Sequence, residues 1–124
     1  MDWKLVVFVA GGGAVGSVAR FLLAASITKG THHIVGTLAV NVVGCFLIGL
    51  LLFGPLSAHV GPSGRAFLAV GILGGFTTMS SFSYETVALF EAQKVNLAIT
   101  NIAATFVACL AGTWLGRFVG LSIA

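Results

Sequence analysis

Four long apolar segments, separated by short polar stretches, make up almost the whole sequence. The segments cover about residues 3–27, 34–53, 65–90 and 95–121. The polar stretch at 55–64 contains both prolines of the chain, which favours a loop there. Because a membrane-spanning helix needs about 20 mostly apolar residues, each segment is long enough to cross a bilayer. The pattern predicts an all-α integral membrane protein with four transmembrane helices in a single domain, residues 1–124.

The composition indicates that lipid, not water, surrounds most of this chain. Of its 124 residues, 58% are hydrophobic and 7% are charged, and the mean hydropathy is +1.11. A soluble domain carries about 25% charged residues, so this chain has too few to cover a globular surface. The six Lys and Arg residues stand singly, without a basic run, which excludes nucleic acid as the expected partner despite a net charge of +3.

The third segment does not have the pattern of a continuous helix. Gly74 and Gly75 are adjacent at its centre, and residues 77–83 are mainly serine and threonine. Glycine lowers helix propensity, and hydroxyl side chains compete for backbone hydrogen bonds. A break within lipid must be buried in protein or line a polar cavity, because unpaired backbone groups are costly there. The segment predicts either a polar seam between helices or a broken helix at a functional site, and favours the second.

Glycines recur at a spacing of four residues in three of the segments. They are Gly12 and Gly16, then Gly71 and Gly75, then Gly112, Gly116 and Gly120. Small residues at this spacing let helix backbones approach closely, so we predict tight helix packing at most of these positions.

Neutral polar side chains also lie within the apolar segments. Asn41 is at the centre of the second segment, and Thr37 precedes it by one helical turn on the same face. Asn101 and Thr105 form a similar stripe on the fourth segment. Polar residues are costly inside a membrane, so they are interpreted first as functional.

These stripes offer hydrogen-bond donors and hardly any carboxylate. The one candidate acid, Glu85, follows the serine-rich stretch of the third segment by about a turn. A cation pathway or a proton-coupled exporter would need an Asp or Glu within the membrane, whereas hydroxyl and amide donors can replace the hydration water of a small anion. The edge of an aromatic ring carries partial positive charge, which makes Phe82 a candidate to face such an anion. The pattern therefore indicates a path for a small anion.

Arg20 lies deep in the first segment. At the centre of a helix an arginine would cost about 2.5–3.5 kcal/mol on insertion scales. It can reach the interface or supply positive potential near a pore mouth. We predict a vestibule or structural role for it rather than direct contact with an ion.

The basic residues do not define one orientation in the membrane. With four spans, both termini and the loop between the second and third spans share one side. That side carries Lys4, Arg65 and Arg117, and the other carries Lys29 and Lys94, with Arg20 if it emerges there. A cytoplasmic side normally shows an excess of Lys and Arg. Because the excess is nearly absent, we hypothesise insertion in both orientations and antiparallel pairing of the two forms.

Three motifs resemble one family, the small dual-topology fluoride channels known as the Fluc or CrcB family. They are GGGAVGSVARF at 11–21, GTLAVN at 36–41 and GGFTTMSSFSYE at 74–85. Their order and spacing and the number of spans agree over essentially the whole chain. The resemblance implies a multi-pass protein of the cell inner membrane, assembled as an antiparallel homodimer with two fluoride pores along the subunit interface.

The resemblance also implies roles for individual residues. A structural sodium ion at the dimer centre would be held by the backbone carbonyls of Gly74 and Thr77 from each subunit. Asn41 would donate a hydrogen bond to fluoride in the pore. Phe82 would be one of two phenylalanines that line the ion path, and Met79 occupies the position of the other.

A track of hydroxyl groups is the last feature that the resemblance implies. Its members would be Ser80, Ser81 and Thr105, with Glu85 near its end. Asn101 and Cys109 lie where similar proteins often carry tyrosine and serine. A thiol is a weaker donor than a hydroxyl. We otherwise expect Cys45 and Cys109 to be free thiols that pack as small hydrophobic side chains.

We therefore expect a passive fluoride channel, not an enzyme, in which neutral donors replace hydration water and pore width excludes chloride. The alternative is a dual-topology, proton-coupled small multidrug exporter, which also pairs four short spans antiparallel. Such an exporter needs a membrane-embedded glutamate in the first span, where this sequence has none. A structural or assembly subunit would account for the glycine spacing but not for the donor stripes.

Overall fold

The computed structural model describes residues 1–123, and this part of the chain is almost entirely helical. The long helices are α1, Trp3–Thr28, and α2, His33–Phe53, followed by two short ones, α3, Leu56–His59, and α4, Pro62–Arg65. A π-helical segment, Ala66–Leu73, leads into the short helix α5, Gly74–Phe76. The chain ends in α6, Met79–Glu91, and α7, Val95–Ser122.

Within residues 1–123, four helical stretches are long and apolar enough to cross a membrane. The first, second and fourth match the predicted bounds to within one residue. The third runs Pro62–Glu91 and therefore begins three residues earlier than predicted. Proline is favoured in the first turn of a helix because the N–H it lacks would have no helical partner there. The predicted all-α fold with four transmembrane helices is confirmed.

The third span is broken at its centre. Thr77 and Thr78 lie between α5 and α6 and have extended backbones, with ψ angles of 154° and 113°. This confirms the broken helix that the glycine and serine pattern favoured. The break releases carbonyl groups at the end of α5 and amide groups at the start of α6 from helical pairing. The π-helical turns just before it are a rare geometry that often marks functional sites.

Glycines bring helix backbones into direct contact. A β-carbon on Gly16 would overlap the carbonyl oxygen of Ile72, so α1 packs closely against the π-helical segment. A β-carbon on Gly116 would likewise overlap the carbonyl oxygen of Phe46, so α7 packs closely against α2. The predicted tight packing is confirmed at these positions.

The outward faces of the long helices are apolar. Phe21 on α1 and Trp114 on α7 are 71% and 66% exposed, a burial pattern suited to contact with lipid. The buried polar side chains instead lie on α2, at the break, on α6 and on α7.

Candidate functional site

Asn41 spans the break in the third span from its position on α2. Its Oδ1 accepts a hydrogen bond from the amide of Thr78 at 2.8 Å, and its Nδ2 donates to the carbonyl of Thr78 at 3.1 Å. Both residues are buried. Oδ1 of Asn41 thus replaces the helical partner that the amide of Thr78 loses at the break, and one of the two Nδ2 hydrogens stays uncommitted.

Thr78 caps α6 and organises two serines. Its Oγ1 accepts a hydrogen bond from the amide of Ser81 at 3.2 Å, as expected of a threonine at an N-cap. The same oxygen donates to Oγ of Ser81 at 3.2 Å and lies 3.1 Å from Oγ of Ser80. Because a hydroxyl has one hydrogen, Ser80 must be the donor to Thr78, and the hydroxyl hydrogen of Ser81 remains available.

A polar cavity of about 430 Å³ lies between α1, α2 and the start of α6. Its polar lining includes Ser17, Arg20, Thr37, Thr78, Ser81 and Glu85. The guanidinium of Arg20 is partly buried, and its Nη1 lies 3.4 Å from the carbonyl oxygen of Thr77. Arg20 is therefore directed at the break and places positive charge in this cavity.

Glu85 lies where the polar cavity meets a second one of about 630 Å³. The second cavity extends towards the start of α2 and the end of α6 and is also lined by His32, His33 and Lys94. Oε1 of Glu85 accepts a hydrogen bond from Oγ1 of Thr37 at 2.6 Å. Its Oε2 is buried and has no hydrogen-bond partner within residues 1–123. The carboxyl group is thus held by one side chain and keeps one oxygen free of protein donors.

A third cavity, of about 240 Å³, lies between α2, the start of α6 and α7 and is mostly apolar. We call it the sulfur-lined cavity, because Cys45, Met79 and Cys109 are among its lining residues, together with Asn41, Thr105, Phe106, Leu110 and Thr113. Met79 is 61% exposed on its rim. Phe82 is buried and does not line this cavity, but its ring lies edge-to-face against that of Phe106, which does, at 6.1 Å between centroids.

Seven of the predicted site residues fall into two groups, whereas Phe82, Gly74 and Thr77 are not among the lining residues of these cavities. Arg20, Ser81 and Glu85 share the polar cavity, and Ser80 joins the last two in the adjoining one. Asn41, Met79 and Thr105 share the sulfur-lined cavity.

Thr86 is a member of the polar network that the sequence pattern did not indicate. Its Oγ1 accepts a hydrogen bond from Nδ2 of Asn101 at 3.0 Å and donates to the carbonyl of Phe82 at 2.7 Å. Oγ1 of Thr105 lies 3.5 Å from Oδ1 of Asn101 and extends the chain along α7. The available signal was the spacing of Thr86 from Thr78, two helical turns along the same span.

The fold and this site define a multi-pass membrane protein in which a broken helix carries buried polar groups. The family model described as CrcB-like protein, Camphor Resistance (CrcB), matches residues 7–117, so the chain belongs to that family, as the motifs indicated. A protein of Citrifermentans bemidjiense named fluoride-specific ion channel FluC is 41% identical over 95% of this chain and 98% of its own. Proteins of the same name from Geobacter sulfurreducens and Geobacter metallireducens are 48% and 46% identical, over 84% and 90% of this chain and 86% and 92% of theirs. The bacterial relatives support the expected location in a cell inner membrane.

Proposed function

We propose that this chain forms a fluoride-selective channel, in which fluoride leaves the cell passively through two pores of an antiparallel homodimer. The relatives are named as fluoride-specific ion channels. These names support fluoride as the transported ion and a channel rather than an enzyme. The observation that carries the proposal is the set of neutral donors at the break, in the middle of an apolar span. A small anion gives up hydration water only where such donors replace it.

Two donors at the break have hydrogens to offer. One Nδ2 hydrogen of Asn41 remains after the bond to Thr78, and the hydroxyl hydrogen of Ser81 remains after Ser81 accepts from Thr78. Ser81 faces the polar cavity and Asn41 the sulfur-lined cavity. In the proposal fluoride passes between these donors, with Ser80 and Thr105 continuing the track on either side.

Two charged groups set the potential in the polar cavity. The guanidinium of Arg20 attracts an anion towards the break, in agreement with a vestibule role. The carboxyl group of Glu85 at the far end of the track, held by Thr37, opposes the anion in its charged form. Together they favour entry of fluoride without tight binding, which conduction requires.

The aromatic part of the proposed path rests on Phe82. Its ring is buried beside α7 and meets Phe106 edge-to-face, so the orientation of the ring is held by packing. Ring edges carry partial positive charge and can face fluoride. Met79 lies next to Asn41 and Thr105 in the sulfur-lined cavity and supplies a flexible thioether where the family has a second ring.

The carbonyl groups at the break fit the proposed sodium ion. In a continuous helix the amides of Thr78 and Ser81 would bond to the carbonyls of Gly74 and Thr77, but here they bond to Asn41 Oδ1 and Thr78 Oγ1. Both carbonyl oxygens are thereby released, although that of Thr77 also lies 3.4 Å from Arg20. Unwound carbonyls in membrane helices commonly coordinate cations. Two oxygens do not complete a shell, so a second subunit would have to supply the others.

Fluoride efflux from liposomes tests the proposal most directly. Purified protein is reconstituted, valinomycin clamps the voltage with potassium, and fluoride and chloride are followed with selective electrodes. We expect fast fluoride release without chloride release and without a proton gradient. Phe82→Ile and Asn41→Asp should abolish it, while Phe90→Ile, a matched change later on the same helix, should not.

The alternative functions predict different results. Drug transport that depends on a proton gradient, and is lost in Glu85→Gln, would favour the exporter. Absence of any flux from well-formed dimers would leave two explanations, a path blocked at Met79 or an incorrect function. Met79→Phe separates them, because restored fluoride release shows that the thioether was the obstacle.

A further inference from the structure

We propose that Cys45, Cys109 and Met79 form a binding site for a soft, thiophilic metal ion in the sulfur-lined cavity. The three side chains come from α2, α7 and the start of α6, and line this one cavity together. Cys45 and Cys109 are the only two cysteines of the sequence, and Met79 is one of two methionines. Their meeting brings three of the four sulfur atoms of the chain to one place.

The packing of α2 and α7 brings the two thiols together. Cys45 on α2 and Cys109 on α7 line the same cavity, so the two thiol groups lie on facing helices. A β-carbon on Gly112 would lie 3.7 Å from Cβ of Cys45, so a glycine allows the close approach here. Oγ1 of Thr113 donates a hydrogen bond to the carbonyl of Cys45 at 3.1 Å and ties the helices one turn further on. The thiol pair is therefore held in place before any ion binds.

The third sulfur lies on a flexible side chain that lines the same cavity. Met79 follows the break, is 61% exposed and has a flexible side chain. Both thiols are only partly buried, so an ion can reach them through the cavity. Two thiols and one thioether, from three helices, thus line the space that one ion would occupy.

The donor set selects soft ions. Sulfur ligands favour soft metals, whereas Mg²⁺ and Ca²⁺ need several oxygen ligands, and the lining contains neither a carboxylate nor a histidine. Zn²⁺ prefers four protein ligands in a closed site and finds three sulfurs here. Hg²⁺ needs only two thiolates: it displaces one proton from each thiol, forms two Hg–S bonds and releases two protons. The product is uncharged, which suits an apolar cavity.

A bound ion would lie beside Asn41 and Thr105, which line the same cavity. We therefore expect occupancy of the site to block the path for fluoride. This consequence rests on the proposed function, whereas binding of the metal does not.

Metal binding is measured first, on the detergent-purified, fully reduced protein. Protein is incubated with Hg²⁺, separated from excess by gel filtration, and its mercury content determined by elemental mass spectrometry. We expect one Hg²⁺ per chain and no retained Zn²⁺ under the same conditions. Cys45→Ser and Cys109→Ser, singly, should weaken binding by more than about a hundredfold, because even indirect support of a metal ligand accounts for 10–100-fold.

The double variant Cys45→Ser/Cys109→Ser is the matched control, since serine is nearly the same size and all three histidines remain. An unchanged elution volume shows that it is folded. Two Hg²⁺ per wild-type chain, or single variants that bind as tightly as the wild type, would show independent thiols and overturn the shared site. Met79→Leu should lower the affinity by a smaller factor than either cysteine change, and an unchanged affinity would remove Met79 from the site.

Fluoride efflux then tests the block. Hg²⁺ should stop efflux in wild-type liposomes, dithiothreitol should restore it, and the double variant should stay active in Hg²⁺. Wild-type protein that binds Hg²⁺ and still conducts would overturn the block. Protein that binds Hg²⁺ but never conducts fluoride would disprove the proposed function and leave the metal site standing.

Discussion

The two halves of the third span are held in the membrane in different ways. The first half, up to Phe76, packs on α1 through backbone contacts at glycines, such as the one between Gly16 and Ile72. The second half, α6, is held by hydrogen bonds from other helices: Asn41 to Thr78, Thr37 to Glu85 and Asn101 to Thr86. The break separates the two modes.

The contrast shows what association of helices requires in lipid. Burial of apolar surface does not drive packing there, because lipid is as apolar as a leucine side chain, so close fit and interhelical hydrogen bonds must do so. Glycine packing makes residues 66–76 a support whose side chains have no hydrogen-bond donor to offer. The hydrogen bonds of the second half position donors that an ion could use. Changes in the two halves should therefore affect stability and transport differently.

The largest effect is expected from Gly16→Ala in the first half. The new β-carbon would overlap backbone atoms of Ile72, which cannot move aside as a side chain can. We expect a loss of about 3 kcal/mol of stability, the upper range for overpacking, or failure to fold. The loss of stability is measured by unfolding the protein in detergent with sodium dodecyl sulfate and monitoring its helix content by circular dichroism. Gly13→Ala is the control, because its β-carbon would approach no atom more closely than 4.0 Å; an equal loss there would contradict the packing argument.

Asn41→Asp should lower the stability and abolish transport. A carboxylate still accepts from the amide of Thr78, but its second oxygen takes the place of Nδ2, faces the carbonyl oxygen of Thr78 and finds no donor there. An unpaired buried group costs about 1–3 kcal/mol, and the added negative charge repels an anion. Unfolding and fluoride efflux are measured together. Asn96→Asp, an exposed change at the start of α7, is the matched control. Full transport in Asn41→Asp would remove Asn41 from the path.

Thr37→Val should destabilise the protein less than Asn41→Asp does, through its effect on α6. It removes the donor to Oε1 of Glu85 and leaves that carboxyl without its one protein partner. We expect a loss of about 1–2 kcal/mol. Thr37→Ser keeps the hydroxyl and should retain most of the stability. A loss as large in the serine variant would mean that the methyl group, not the hydrogen bond, holds α6.

The smallest effect is expected from Thr86→Val. The change is close to isosteric and removes the oxygen that accepts from Asn101. Interhelical hydrogen bonds in membranes average about 0.6 kcal/mol, so we expect a loss of that order. Thr100→Val is the control, since its hydroxyl bonds only within α7, to the carbonyl of Asn96. Equal losses in both variants would show that Thr86 stabilises its own helix and not the contact with α7.

Parts of this site were readable from the sequence and parts were not. The Gly74-Gly75 pair and the serines after it predicted a break, because local backbone preferences alone disfavour a helix there. The sequence also singled out Asn41 as a polar residue in lipid. It did not reveal that Asn41 pairs with Thr78, since that contact joins residues far apart in the chain. Thr86 escaped notice because a hydroxyl in a helix can always bond to its own backbone.

The sequence by itself determined the four spans, the class of protein and the place of the break. These follow from hydropathy and local propensity, which depend on residue type and immediate neighbours. Only the tertiary structure decided which polar groups share a cavity: Arg20 with Glu85 on one side, and Asn41 with the two cysteines on the other. Such groupings depend on how α1, α2, α6 and α7 rotate against one another, and that rotation is set by contacts at glycines and by hydrogen bonds between distant residues.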